Sequence, residues 1–253
     1  MSQRRFGDNL LIGQIKSFYQ SILDFLFPPR CFGCDKDIEQ GIICNKCFTQ
    51  ITTSALGVCS VCGLPKSSDE ECSHPLIHSG IKPNVLTRIR ALGKYTTPYI
   101  GLVHNFKYQN KKKIARVLGL ALSNLITSDP ILSRADYIIP IPLHPARLRE
   151  RGFNQSLLLA QEAAFSSGIT LQDCLIRTKN TPSQTQLDYD SRAKNIRGAY
   201  QLKTRLDFSL KDKRVVLVDD VITTGATLTE AAKTLVENGV TEVYGVVVTT
   251  AGV

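Results

Sequence analysis

The sequence lacks any long uninterrupted apolar segment. Its first 27 residues have apolar side chains at helical spacing, but charged and amide side chains interrupt them at Asp8, Gln14, Lys16, Gln20 and Asp24. A membrane-spanning helix needs about 20 predominantly apolar residues, and a signal peptide needs an apolar core of about 7–15. We therefore expect a cytoplasmic protein whose residues 1–30 form a surface helix, with peripheral membrane contact of that helix as the alternative.

The sequence also lacks a Walker-type phosphate loop, and the middle of the chain has few acidic residues. No G-x-x-x-x-G-K-[ST] segment occurs, which argues against the P-loop class of nucleotide-binding proteins. Residues 83–205 carry 19 Lys and Arg against 7 Asp and Glu. A basic surface of this kind favours a phosphate-rich partner, either a polyphosphate ligand or a nucleic acid.

Cysteine is almost absent outside one short segment, since seven of the 8 cysteines lie between Cys31 and Cys72. Two cysteines separated by two residues place two thiolates on one tight turn, and two such turns make a tetrahedral zinc centre. The spacing predicts a first zinc ion on Cys31, Cys34, Cys44 and Cys47. It predicts a second on Cys59, Cys62 and Cys72, with His74 or His78 as the fourth ligand.

This cysteine-rich segment, residues 31–82, has too few apolar side chains to form a core unaided, so its folding is expected to depend on zinc. Dithiol exchange is the alternative, but three pairs without a thioredoxin-like βαβ pattern favour metal in a reducing compartment. Cys174 stands apart and is expected to be a buried apolar side chain.

From about residue 95 the sequence alternates between helix-like and strand-like patterns. Apolar spacing predicts helices near 100–106, 114–125, 155–164 and 226–237, and short apolar runs predict strands at 137–141, 214–218 and 242–249. Short apolar strands alternating with helices are typical of a parallel sheet with helices on its faces. The sequence therefore predicts an α/β domain over residues 83–253.

The predicted strand at 214–218 leads into two acidic residues and a Thr/Gly loop that opens a helix. The segment comprises Asp219, Asp220, Val221, Ile222, Thr223, Thr224, Gly225, Ala226 and Thr227. Gly225 would let backbone N–H groups approach a phosphate at a helix N-terminus. Carboxylates so close to a phosphate would repel it unless a sugar lay between. We therefore expect Asp219 and Asp220 to accept hydrogen bonds from ribose hydroxyls in a ribose 5-phosphate site.

This segment resembles the phosphoribosyl pyrophosphate motif of type I phosphoribosyltransferases. Further segments resemble the ComF/GntX family: residues 140–144, Arg147, residues 151–156, and Gln184 to Gly198. With the cysteine-rich head, the resemblance covers about residue 31 to the end. It implies a type I phosphoribosyltransferase-like fold behind a double zinc ribbon, and a site for phosphoribosyl pyrophosphate with Mg²⁺.

The resemblance also implies roles for residues outside the motif. The loop Pro142, Leu143 and His144, with Arg147 and Arg151, would face the pyrophosphate, although a lone histidine is more often a loop or packing residue. Arg149 is the weaker candidate. The acidic residues and Arg151 are the candidate catalytic groups. Residues 179–198 resemble a mobile loop that closes over the donor, with a solvated linker as the alternative.

The segment 107–116 carries five positive charges and no acidic residue. Such a run is often a solvated helix face, yet basic residues interleaved with aromatic ones also suit single-stranded nucleic acid. The candidate contacts are Lys107, Lys111, Lys112, Lys113 and Arg116. Proteins of the ComF family are implicated in natural transformation, in which incoming DNA is single-stranded.

Three functions stay open at this point. The first is a ComF-like competence protein that binds phosphoribosyl pyrophosphate and handles single-stranded DNA together with DNA-uptake proteins. The second is an active phosphoribosyltransferase of nucleotide metabolism, although no acceptor-base pocket is recognisable. The third is a sugar-phosphate sensor that recruits a partner through its zinc head.

Overall fold

The structure of the protein is a computed structural model that describes residues 28–53, 59, 85–109, 111–180 and 196–251. Three predicted features lie wholly or mostly outside the described residues. They are the N-terminal helix, the ligands of the second zinc site other than Cys59, and residues 181–195 of the mobile loop. Within these ranges, no helix is long and apolar enough to cross a membrane. The predicted domain boundaries at residues 30 and 82 stay predictions.

Seven strands are described: β1 (Arg88–Lys94), β2 (Tyr137–Pro140), β3 (Thr170–Leu171), β4 (Leu175–Arg177), β5 (Tyr200–Leu202), β6 (Arg214–Ile222) and β7 (Glu242–Thr250). Five of them form a parallel sheet in the order β1-β7-β6-β2-β3, and β4 and β5 form a separate antiparallel pair. The central strands β6 and β7 are buried over most of their length, which explains their nearly continuous apolar sequences.

Six α-helices accompany these strands in the described part of the chain: α1 (Asn45–Thr52), α2 (Tyr99–Tyr108), α3 (Ile114–Ser128), α4 (Pro145–Arg151), α5 (Gln155–Ser167) and α6 (Ala226–Glu237). The predicted parallel sheet flanked by helices is confirmed, and α6 has the predicted bounds. Helix α5 is capped at its start by Asn154, whose side chain accepts a hydrogen bond from the Ser156 N–H, and at its end by Gly168 with φ 76°.

The sheet separates two apolar layers, and β6 contributes to both. Val216 and Val218 pack with α2, α3 and α5, whereas Val215 and Leu217 pack with α6. Side chains alternate across a strand. Near the end of the strand, two carboxylates adjacent in sequence have different partners: Asp219 accepts from Ser156 of α5, and Asp220 pairs with Lys107 of α2.

The cysteine-rich module packs directly against α2. A Cβ atom added at Gly101 would lie 2.5 Å from the carbonyl oxygens of Phe32 and Gly33. The Asn105 side-chain amide donates a hydrogen bond of 3.2 Å to the Phe32 carbonyl oxygen. Ile51 of α1 belongs to the apolar layer that α2 and α3 also line. The module therefore shares a close-packed surface with the α/β part of the chain.

Candidate functional site

Asp219 lies near the carboxyl end of β6, where Ser156 holds it in place. The Ser156 hydroxyl donates to Asp219 Oδ1 at 2.8 Å, and the Asp220 backbone N–H donates to the same oxygen at 2.9 Å. Ser156 is buried in the first turn of α5. Burial, followed by the negative charge of Asp220, raises the pKa of Asp219 to about 6. Near neutral pH this carboxylate is ionised but close to its titration range.

Asp220 is paired with a lysine from another layer. The Lys107 ammonium lies 2.9 Å from Asp220 Oδ1, and the two side chains are only 18% and 11% exposed. Burial by itself lowers the pKa of Lys107, but the charges of Asp220 and Asp219 raise it, and the net direction is upward. The ammonium is therefore charged. The structure places Lys107 beside the acidic pair, and its predicted contact with nucleic acid stays a prediction.

The Thr/Gly loop connects β6 to the N-terminus of α6. Gly225 occupies the position before the helix with φ 79°, a left-handed conformation that favours glycine. Thr224 is buried, and its hydroxyl oxygen accepts from the Ala226 N–H at 3.4 Å. Val221 and Ile222 still belong to β6, in register with Thr249 and Thr250 of β7. The cradle expected for a phosphate is therefore residues 223–227, with the acidic pair on the preceding strand.

The loop after β2 lies beside the same end of β6. The Ile141 N–H donates to the Val218 carbonyl oxygen at 3.0 Å, and the Asn154 side-chain amide donates to the Ile141 carbonyl oxygen at 3.0 Å. These bonds fix the start of the segment that contains Pro142 and Leu143. His144 caps α4, since its Nδ1 accepts the Ala146 N–H at 3.2 Å. The cap gives the histidine a structural role.

The three arginines of α4 differ in their surroundings. Arg151 donates to Gln155 Oε1 at 3.0 Å, and its guanidinium carbon lies 5.7 Å from the Tyr108 ring centroid. Its charge also acts on Lys107. Arg147 pairs instead with Glu150 at 3.0 Å in an exposed ion pair, and Arg149 is exposed. Of the three, Arg151 is the arginine whose charge acts on Lys107, the partner of Asp220.

The rest of the basic stretch lies at the surface. Lys111, Lys112, Lys113 and Arg116 are exposed. The Lys111 and Lys112 ammonium groups lie 5.5 Å and 5.1 Å from the ring centroids of Phe32 and Phe153, within the range of cation–π contacts. These cations follow α2 in the chain and lie close to aromatic rings.

The four cysteines predicted to hold the first zinc ion lie together, with their Sγ atoms all within 4.8 Å of one another. Cys34 and Cys44 Sγ are 3.8 Å apart. A tetrahedron with zinc–sulfur bonds of about 2.3 Å places its sulfur atoms about 3.8 Å apart. The cluster fits a structural zinc site with four thiolate ligands.

The pKa values of the thiols in this cluster are shifted in different directions. Burial alone would raise the pKa of Cys31, but the backbone N–H groups of Cys44, Cys34 and Gly33 lower it to about 7. The Cys44 N–H donates to Cys31 Sγ at 3.3 Å. Burial and the neighbouring thiols raise the pKa of Cys47. Four ionised thiolates so close together require a cation to neutralise them. Cys59 is buried, and the other ligands of the second predicted site lie outside the described residues.

Comparisons with known proteins match both the cysteine-rich module and the α/β part of the chain. Residues 22–75 match the double zinc ribbon domain and residues 154–252 match the phosphoribosyl transferase domain. The chain is 31% identical to the DNA utilization protein YhgH of Escherichia coli K12, covering 78% of this chain and 92% of that protein. It is also 31% identical to competence protein F of Haemophilus influenzae, over 84% and 86%. The chain belongs to the ComF family.

A third relative of this ComF-family chain is the competence protein ComFC of Bacillus subtilis, at 26% identity over 83% of this chain and 89% of that protein. Among solved structures, it aligns with the glutamine phosphoribosylpyrophosphate amidotransferase of B. subtilis at 24% identity, over 53% and 25%, with a TM-score of 0.35. The orotate phosphoribosyltransferase of Aeropyrum pernix aligns at 19% identity, over 55% and 60%, with a TM-score of 0.33.

Two side chains that contact the acidic pair of this ComF-family chain, Ser156 and Lys107, were not assigned to it from the sequence. Ser156 stands in a segment that resembles the family, and its place in the first turn of a helix was a usable signal. The sequence around Lys107 does not indicate its contact with the acidic pair, because Asp220 is far away in sequence and Lys107 belongs to a longer basic segment. Only the packing of α2 against β6 distinguishes it from the exposed lysines that follow.

Proposed function

We propose that this ComF-family chain is a cytoplasmic competence protein whose phosphoribosyltransferase domain binds phosphoribosyl pyrophosphate together with Mg²⁺. It acts with DNA-uptake proteins on single-stranded DNA that enters during natural transformation. The names of its relatives, DNA utilization protein and competence protein, support the biological role. The observation that carries the ligand is the acidic pair at the end of β6, followed by the Thr/Gly loop at the N-terminus of α6.

Each part of the site suits one part of the ligand. Backbone N–H groups at the start of α6 and the hydroxyl groups of residues 223–227 donate to the 5-phosphate. Asp219, fixed by Ser156, accepts hydrogen bonds from the ribose hydroxyls. Arg151 and the loop after Ile141 face the pyrophosphate, where a guanidinium can donate two parallel hydrogen bonds. Mg²⁺ held together with the donor would supply positive charge that offsets the charge of the pyrophosphate.

Titration calorimetry with phosphoribosyl pyrophosphate, with and without Mg²⁺, tests the ligand. We expect saturable binding that is tighter with Mg²⁺, and weaker binding of ribose 5-phosphate, which has no pyrophosphate. ATP serves as a control for general attraction of a polyphosphate to a basic surface. Equal affinity for ATP and for phosphoribosyl pyrophosphate would contradict a site built for ribose 5-phosphate.

An active phosphoribosyltransferase is the second candidate, and the acidic pair favours it. Loss of pyrophosphate leaves positive charge on the ribose ring, and nearby carboxylates stabilise such a charge. The test is pyrophosphate release in the presence of Mg²⁺ and each purine or pyrimidine base in turn. Release that depends on one base would establish catalysis, and binding without release would leave the domain as a ligand-binding module.

A further inference from the structure

The ion pair between Lys107 and Asp220 joins two layers of the fold. Lys107 is the second-to-last residue of α2, and Asp220 lies near the end of β6. Their charged atoms are 2.9 Å apart in surroundings that exclude most water. Removal of one member of such a pair leaves an uncompensated buried charge. Loss of Lys107 or Asp220 should therefore change the affinity of any ligand that binds beside the pair.

The charged and titratable groups around the acidic pair come from several elements. Helix α2 supplies Lys107, and α4 supplies Arg151, whose charge acts on Lys107. On the other face, Asp219 acts on the Tyr200 phenol of β5, which Glu230 of α6 also faces. Among the described residues, Lys107 is the cation within ion-pair distance of an Asp219 or Asp220 oxygen.

Without that cation the two carboxylates would behave as a coupled acidic dyad. Like charges side by side cannot both ionise easily, so a dyad retains one proton to a higher pH. A protonated carboxyl group has lost part of its capacity to accept hydrogen bonds, whereas ribose hydroxyls need acceptors. The ammonium therefore determines how many acceptors the site offers near neutral pH.

We propose that Lys107 is a positioning residue of the ribose site: its ammonium, 2.9 Å from Asp220 Oδ1, supplies the positive charge that lets both carboxylates of the acidic pair accept hydrogen bonds from the ribose hydroxyls of the donor. This inference rests on the proposed ligand. It assigns Lys107 to the ribose site and leaves the exposed cations at 111–113 and Arg116 as the candidate DNA contacts.

The test is the affinity for ribose 5-phosphate, measured by calorimetry from pH 5 to pH 9. In the unchanged protein we expect affinity to fall as pH drops through about 6, where Asp219 takes up a proton. In Lys107→Met the midpoint of this fall should move upward by about 1–3 pH units, the usual effect of losing one opposite charge beside a pair of carboxylates. The phosphate of the ligand itself titrates near pH 6, but it does so equally with every variant.

Two further variants separate charge from structure. Lys107→Arg keeps a cation and should return the midpoint towards that of the unchanged protein. Lys233→Met removes an exposed lysine of α6 and should leave the midpoint unmoved. Thermal unfolding and zinc content show whether each protein is folded. A protein that has merely lost its structure loses affinity at every pH, whereas Lys107→Met should regain affinity towards pH 9.

A double variant tests whether Lys107 acts through Asp220. In an Asp220→Asn background, adding Lys107→Met should move the midpoint far less than it does alone. Equal shifts in both backgrounds, or an unmoved midpoint in Lys107→Met when the unchanged protein binds normally, would overturn this inference alone. Absence of binding by the unchanged protein would overturn the proposed ligand as well.

Discussion

At the scale of single residues, the two carboxylates of the site are adjacent in sequence but not equivalent. Asp219 is hydrogen-bonded by a serine hydroxyl and a backbone N–H, whereas Asp220 is ion-paired with the partly buried ammonium of Lys107. Substitutions at the two positions should therefore have different consequences for stability, even where their effects on the ligand agree.

Asp219→Asn and Asp220→Asn should each weaken binding of phosphoribosyl pyrophosphate by about 1–3 kcal/mol, because each removes a charge-assisted hydrogen bond to a ribose hydroxyl. Asp220→Asn should also lower the unfolding temperature, since it leaves the Lys107 ammonium without its counter-charge. Asp219→Asn keeps an acceptor for Ser156 and should unfold near the temperature of the unchanged protein. Calorimetry and thermal unfolding measure the two effects, and equal loss of stability in both variants would contradict this assignment.

Gly225→Val should abolish binding of both phosphoribosyl pyrophosphate and ribose 5-phosphate. Its side chain would occupy the space through which a phosphate approaches the backbone donors, in a conformation with φ 79° that β-branched residues avoid. Gly168→Val is the matched control, because Gly168 has φ 76° and open space around an added Cβ atom at the end of α5. The control should lose stability but keep the ligand. Unimpaired binding by Gly225→Val would show that the loop is not the phosphate cradle.

At the scale of elements, β6, β7 and α6 could be predicted from the sequence. In each of them, the buried positions are filled by apolar residues in a pattern typical of a buried strand or of a helix. β6 and β7 are buried on both faces and read as apolar runs, and α6 ends at an Asn-Gly pair. Strand β1 was missed because it carries Arg90, only 8% exposed and neutralised by Asp129 at 2.9 Å. The sequence of β1 does not reveal that distant partner.

Helix α4 was also missed, and for a local reason. It has seven residues, of which four are charged, so no apolar period is visible. It forms because Pro145 favours the first helical turn, His144 caps that turn, and Gly152 ends the helix with φ 79°. The acidic pair and the loop could be predicted from one continuous segment. The Lys107 ion pair could not, because it depends on how α2 packs against β6.

The loop between α2 and α3 is the element to test for DNA binding. Replacing Lys111, Lys112 and Lys113 with Ala should weaken binding of single-stranded DNA and flatten its salt dependence, with the slope changing by roughly 0.7 for each lost phosphate contact. Fluorescence anisotropy at several salt concentrations measures the slope. A charge-matched control replaces lysines elsewhere on the surface: Lys203, Lys211 and Lys233. Equal effects of the two triple variants would show that the loop contributes to DNA binding only through the overall positive charge of the protein.

At the scale of the whole molecule, the sequence predicted a cysteine-rich module followed by an α/β domain, and the structure shows how closely the module and α2 are packed. The turn at residues 32–33 contacts Gly101 near the start of α2, and Lys107 near the other end of the same helix holds Asp220. One rigid helix therefore touches both the metal site and the candidate ribose site.

We expect purified, reduced protein to contain at least one tightly bound zinc ion per chain, since residues 31–53 have little core of their own. Cys34→Ser should lower the zinc content and also weaken binding of phosphoribosyl pyrophosphate, because the support of α2 is lost. Elemental analysis and calorimetry measure the two quantities. A zinc-depleted protein that remains folded and binds the ligand normally would show that the two sites are independent. Asp219→Asn should leave the zinc content unchanged.

The close approach of Gly101 to the turn at residues 32–33 also limits how the chain can be divided. A fragment beginning at residue 85 would expose the face of α2 that this turn covers, remove one of the two acceptors of the Asn105 side-chain amide, and leave a gap where Ile51 packs. The isolated head would in turn expose Ile51 to water. Expressed separately, the two pieces should aggregate or unfold, and mixing them should restore a complex. For the same reason, a chimera with the head of another family member should fold only when α2 is exchanged with it.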